Sequence, residues 1–184
     1  MFLIAWLLTM TGVQTFFDVV PLVMRDAFAV SASASSLLFL LGAAIGTLVF
    51  PWSGRLADKR GPGTVFVVGL LITIVAFAAM TASAITRPTF KGLVGSLALV
   101  LAAIAYSFLV VAATMLIVRL TPGSEGSAMG LLNAIIAAGA VIGAIAPAYV
   151  ARAFGYASLP GMATLFVAAA LLTCLPLMRT KTGR

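Results

Sequence analysis

The 184-residue sequence carries only eleven Lys and Arg and four Asp and Glu, is 63% hydrophobic, and has a mean hydropathy of +1.23. A soluble domain is about 25% charged, so this composition excludes one and points to a chain that lives in lipid. The formal charge of +7 is scattered between apolar blocks rather than laid along one face, which excludes a nucleic-acid partner and makes the basic residues topology signals.

The chain has no histidine. That removes the commonest transition-metal ligand and the commonest general base, and no nucleophile stands beside a base. No enzyme activity, metal or cofactor is expected. The start, MFLIAWLL, has no basic region, so a cleaved signal peptide is not expected.

Stretches long enough to cross a bilayer, about 20 residues each, fall at 2–23, 34–54, 63–84, 93–118, 128–150 and 160–178. The first span holds Asp18 within VQTFFDVVPLV. An ionisable group in a span is costly and marks a functional position. Gln14 lies one turn before it on the same face, and Pro21 follows, able to bend the helix. Desolvation favours the neutral acid, so a carboxyl there can exchange a proton near neutrality. If Asp18 lies near the outer interface, it instead reaches water or pairs with Arg25.

The second span carries Gly42, Gly46 and Trp52, the last read as an interfacial belt residue. It runs into GRLADKRGPG, where Arg55, Asp58, Lys59 and Arg60 crowd into a short turn. Gly54 and Gly61 suit a tight turn, and Lys59, Arg60 or Arg119 can compensate Asp58. The third span is apolar. The fourth contains Tyr106 and Ser107 and ends near Arg119. The fifth carries Asn133, Gly139 and Gly143. Asn133 either faces a cavity or ties two helices together, at about 0.6 kcal/mol. The sixth holds Cys174, the one cysteine, inert and without a disulfide partner in the chain. Short connections leave a single six-span domain over residues 1–184.

Seven basic residues (Arg55, Lys59, Arg60, Arg119, Arg179, Lys181, Arg184) fall on one side of this layout and four (Arg25, Arg87, Lys91, Arg152) on the other. The bias puts both termini in the cytoplasm. The second and fifth spans also share an order of features. Each has Gly-x-x-x-Gly (Gly42 and Gly46; Gly139 and Gly143), then a proline (Pro51; Pro147), then a basic stretch ending in glycine (Gly61; Gly155). Three spans separate the copies, so they cross the membrane in opposite directions. That is an inverted three-plus-three repeat, a design common in secondary transporters. The glycines themselves are expected to pack helices.

This pattern resembles half of the major facilitator superfamily. Gly54-Arg55-Leu56-Ala57-Asp58-Lys59-Arg60-Gly61 is similar at every defined position to that family's cytoplasmic signature Gly-x-x-x-Asp-(Arg/Lys)-x-Gly. Pro62 and Gly63 stand where the signature continues with further basic residues. The resemblance implies an all-α integral membrane fold of six transmembrane helices, half of a major-facilitator fold. It also implies a gating role for Asp58 and its basic neighbours, part of the latch contacting a second half. LTPGSEGSAMGLLNA resembles the turn and following helix of a C-terminal half, so the chain is expected to be a half-size protein or a fragment. The second half would be another copy in a parallel homodimer, or a different half-transporter or membrane partner. An acid near a proline in the first helix loosely resembles proton-driven multidrug exporters, which are antiporters.

No Arg or Lys lies deep in a span, which argues against an anionic solute. The expected function is therefore half of a proton-coupled secondary transporter for a neutral or cationic small molecule, in a bacterial cytoplasmic membrane. The alternative is a membrane scaffold that keeps the fold without transporting. Asp18, Gln14, Asn133 and Tyr106 are the candidates for proton or substrate contact.

Overall fold

The structure is a computed structural model that describes residues 1–86, 89–121 and 124–179. Arg87, Lys181 and Arg184, which carry part of the basic asymmetry, lie outside the described residues. The elements are α1 (Phe2–Phe17), α2 (Val20–Phe28), α3 (Ala32–Arg60), α4 (Pro62–Thr86), α5 (Lys91–Leu120), α6 (Glu125–Phe154) and α7 (Leu159–Arg179). A 3₁₀ turn, Tyr156–Ser158, joins α6 to α7. Among the described residues five helices are long and apolar enough to cross a membrane, and the bent pair α1–α2, counted as one span, makes six. The all-α, six-span architecture expected from the sequence is the one present.

The first span departs from its predicted boundaries. It is not one helix over 2–23: α1 stops at Phe17, and α2 leaves at an angle of 61° and runs to Phe28. Pro21 sets the break. A proline ring crowds the carbonyl four residues back, here that of Phe17, and has no N–H to give it. The N–H of Val19 donates to the Phe16 carbonyl at 3.2 Å, and that of Leu22 to the Val19 carbonyl at 3.0 Å. The short α2 packs against α3, α5 and the 3₁₀ turn. It buries Val23, Met24 and Phe28 and leaves Arg25 and Asp26 exposed. Gly95 makes room for the Phe28 ring, since a Cβ there would stand 2.6 Å from Phe28 Cδ1.

The second span also runs past its predicted end. α3 remains helical through the charged stretch to Arg60, so the chain turns at Gly61 alone. Gly61 has φ +86° and ψ 144°, a conformation that a side chain strains. Gly54 sits inside the helix with nothing within 4 Å of a Cβ, so it takes no part in the turn.

α3 and α6 are built alike. Ser31 caps α3, its Oγ accepting from the Ala34 N–H, and Ser124 caps α6, its Oγ accepting from the Ser127 N–H. Each satisfies one of the donors that a helix start leaves free. Each helix contains one proline, Pro51 or Pro147, and ends at a positive-φ glycine, Gly61 or Gly155.

The repeat is legible in the packing too. Added Cβ atoms at Gly42 and Gly46 would meet Ala103 and Ser107 of α5, at 2.7 and 2.6 Å. Those at Gly139 and Gly143 would meet Met10 and Gln14 of α1, at 2.7 and 2.8 Å. In both seams residue numbers rise together, so α3 runs parallel to α5 and α6 parallel to α1. The second helix of each repeat therefore rests on the first helix of the other. Without side chains the backbones come close enough for van der Waals packing, the force available to helices in lipid. α4 packs on α5 and α7 on α1, and α4 and α7 meet each other. Trp6, Phe16, Phe66, Phe77 and Leu109 are fully buried between them. α3 and α6 bury only narrow stripes and leave their remaining faces bare.

Candidate functional site

A cavity of about 380 Å³ opens between α1, α3 and α5. α1 contributes Gln14 and Phe17, α3 contributes Phe39, Thr47 and Phe50, and α5 contributes Tyr106 and Ser107. On the α3 wall Phe39 and Thr47 are exposed, so the cavity is an open-sided trough. Its size lies at the lower end of the range for small-molecule pockets, about 300–1,000 Å³.

The parallel seam between α3 and α5 fixes the register of the walls. Ser107 is buried, and its hydroxyl lies in the space that Gly46 leaves free. Gln14 lies on α1, beside the Gly143 contact on one side and the cavity on the other. The Phe17 and Phe39 rings meet with centroids 5.4 Å apart, closing one end. Thr47 turns its hydroxyl back to the Ala43 carbonyl at 2.9 Å. Gln14, Tyr106 and Ser107 have no side-chain hydrogen bond to any described residue. Among the described residues no charged side chain lines the cavity. The site thus offers neutral donors and acceptors on an aromatic and apolar wall, and it can hold an uncharged solute by hydrogen bonds and ring contact.

Two of the four sequence candidates, Gln14 and Tyr106, are brought together here. The other two are not. Asp18 caps α1 at the break, exposed and outside the cavity lining. Its N–H still donates to the Gln14 carbonyl at 3.2 Å, so it stands one turn beyond Gln14, but Gln14 lines the cavity and Asp18 does not. It makes no ion pair with Arg25, which pairs instead with Asp26 at 2.9 Å. Asn133 is exposed on α6 and hydrogen-bonds to no described residue, so it ties no helices together within this chain.

The charged stretch forms the last turns of α3. Arg55, Asp58, Lys59 and Arg60 are all exposed, and so is Arg119 at the end of α5. Among the described residues the one ion pair is that of Arg25 and Asp26. The expected compensation of Asp58 by Lys59, Arg60 or Arg119 is therefore not made. Successive helical residues point about 100° apart and do not face each other. Lys59 and Arg60 suit the negative end of the helix dipole, and Asp58 does not. Trp52, about two turns before this end, is 57% exposed and stands edge-on to Phe108 with centroids 5.7 Å apart.

Nothing in the sequence sets Phe17, Phe39 and Phe50 apart from the other apolar residues of their spans. The signal available was the Gly42–Gly46 face, which identifies the side of α3 that turns to a neighbour and so the residues flanking it.

A family model described as Major Facilitator Superfamily matches residues 2–184. No curated protein matches the chain.

Proposed function

Since this chain belongs to the major facilitator superfamily, a family of transporters, we propose that it is one half of a proton-coupled secondary transporter. It moves a neutral or cationic small molecule by alternating access, with the trough between α1, α3 and α5 as its half of the central site. The carrying observation is that trough, open on one side and lined by Gln14, Tyr106 and Ser107. A second half placed against it completes the enclosure that binding near the bilayer midplane needs.

In this proposal the second half is another copy, inserted in parallel and related by an axis along the membrane normal. The bare faces of α3 and α6, with Asn133 on the latter, support it. A different half-transporter would fit the same faces. Asp58 serves as a gate residue: it is exposed and makes no ion pair with a described residue, as a contact to the other half requires. The basic residues Arg55, Lys59, Arg60 and Arg119 lie toward the cytoplasm, with both termini, in a bacterial inner membrane. Asp18 is the proton carrier, as the acid that caps α1 one turn from Gln14.

One observation favours the scaffold alternative: Asp18 stands outside the cavity, so no acid lines it. Solute uptake or efflux in sealed vesicles carrying only this protein separates the two. Transport that follows an imposed proton gradient supports the transporter, and its absence at full membrane insertion supports the scaffold. Single cysteines along α1 and α6 test the partner. Cross-links between copies support the homodimer, and a particle with the mass of one chain rejects it.

A further inference from the structure

We infer that the trough selects an uncharged solute with a flat aromatic ring and a hydrogen-bonding group, and discriminates against a cation of the same shape. The inference rests on the trough being the transport site and names what it takes.

Four aromatic side chains border the space: Phe17, Phe39, Phe50 and Tyr106. Three uncharged polar side chains there make no hydrogen bond to a described residue: the Gln14 amide and the Tyr106 and Ser107 hydroxyls. Together they offer both donors and acceptors. A ring wedged among aromatic neighbours gains edge and face contacts, and a polar substituent on it finds groups ready to bond. A volume of about 380 Å³ suits a solute of one or two rings.

Charge decides the class. An ion entering this space leaves its water behind and meets no opposite charge. Asp18 caps α1 outside the lining, and no acid borders the cavity among the described residues. Aromatic faces do attract cations, but that attraction is smaller than the cost of an ion's lost water. Ser107 adds to the discrimination: its hydroxyl lies in the space that Gly46 leaves free and makes no hydrogen bond to a described residue, so a solute without a hydrogen-bonding group leaves it unpaired.

Three probes of matched size test this on the full chain in nanodiscs: benzamide, benzyltrimethylammonium and benzoate. Saturation-transfer NMR measures the binding of each. Benzamide is expected to bind, with the two ions at least about tenfold weaker. Gln14→Leu and Ser107→Ala are each expected to weaken benzamide by about three- to tenfold. Thermal unfolding of both variants checks that they are folded. Ammonium binding as tight as benzamide, and equally sensitive to Gln14→Leu and Ser107→Ala, overturns the solute class and leaves the site in place. Benzamide binding that ignores both substitutions overturns the site itself. No saturation of any probe up to its solubility limit also overturns the inference.

Discussion

Gly46 and Ser107 share one small space: a Cβ at position 46 would come within 2.6 Å of the Ser107 hydroxyl oxygen. The contact joins a packing seam to the cavity, because the glycine that lets α3 approach α5 also makes room for a polar group of the site. Gly46→Ala is expected to destabilise the protein by about 1–3 kcal/mol, read as a lower unfolding temperature in detergent. Adding Ser107→Ala should recover most of the loss, since the oxygen in the way is gone. Failure of the double variant to recover places the clash on the backbone instead.

Gly143→Ala should be harder to rescue. A Cβ there would meet the Thr11 carbonyl oxygen at 3.0 Å and the Thr15 nitrogen at 3.1 Å, both main chain, as well as Gln14 Cβ at 2.8 Å. Gln14→Ala still presents a Cβ and moves no backbone. Gly143→Ala should therefore lower the unfolding temperature in the wild-type and Gln14→Ala backgrounds alike. Recovery in the second background would show that the seam yields more than its main-chain contacts allow.

Gly61 and Gly54 form a contrasting pair. Gly61→Ala forces a side chain into φ +86° and is expected to cost about 1–3 kcal/mol. Gly54→Ala meets no neighbour and replaces a helical glycine, so the single chain should gain up to about 1 kcal/mol. If a second half closes against this end of α3, the same substitution should slow transport while raising stability. Unchanged transport would remove Gly54 from the closing surface.

Asp58→Ala is expected to slow transport while substrate affinity holds. An exposed residue at the end of α3 can bias the balance of inward and outward states by about 1–3 kcal/mol without touching the trough. Accessibility labelling of the two states measures the shift. Loss of affinity in both states would argue against a latch.

Asp18→Asn is expected to leave folding intact, because the side chain is exposed and makes no ion pair with a described residue. In sealed vesicles, uptake under an imposed proton gradient should fall to the level seen without one. Full gradient-driven uptake by this variant would leave Asp18 as a residue of the helix break alone.

The sequence reveals helices well and their shape less well. Hydropathy marks six crossings, and the spacing of Gly42 with Gly46 and Gly139 with Gly143 marks the faces that pack. Hydropathy does not register direction, so the span over 2–23 reads as continuous although Pro21 interrupts the hydrogen-bond ladder within it. A cluster of charge reads as a loop, yet Arg55 to Arg60 are good helix formers apart from Asp58 and simply extend α3 beyond its apolar part. The trough is the least legible feature. Gln14, Phe39 and Tyr106 lie far apart in the chain, and only the register of α3 on α5 brings the second beside the third. Glycine spacing shows that a helix has a partner without naming it.

The crossed packing of α3 on α5 and α6 on α1 governs how the chain is made. When the ribosome has delivered the first three crossings, the glycine face of α3 has nothing to lie on, because its cradle belongs to residues not yet synthesised. α1 waits longer still, holding open the groove at Met10 and Thr11 until α6 arrives. Neither triplet can mature as a finished module, and assembly must wait for the two to interlock. A nascent chain stalled after α4 should therefore remain sensitive to membrane proteases, and protection should appear only once the later crossings have threaded into place.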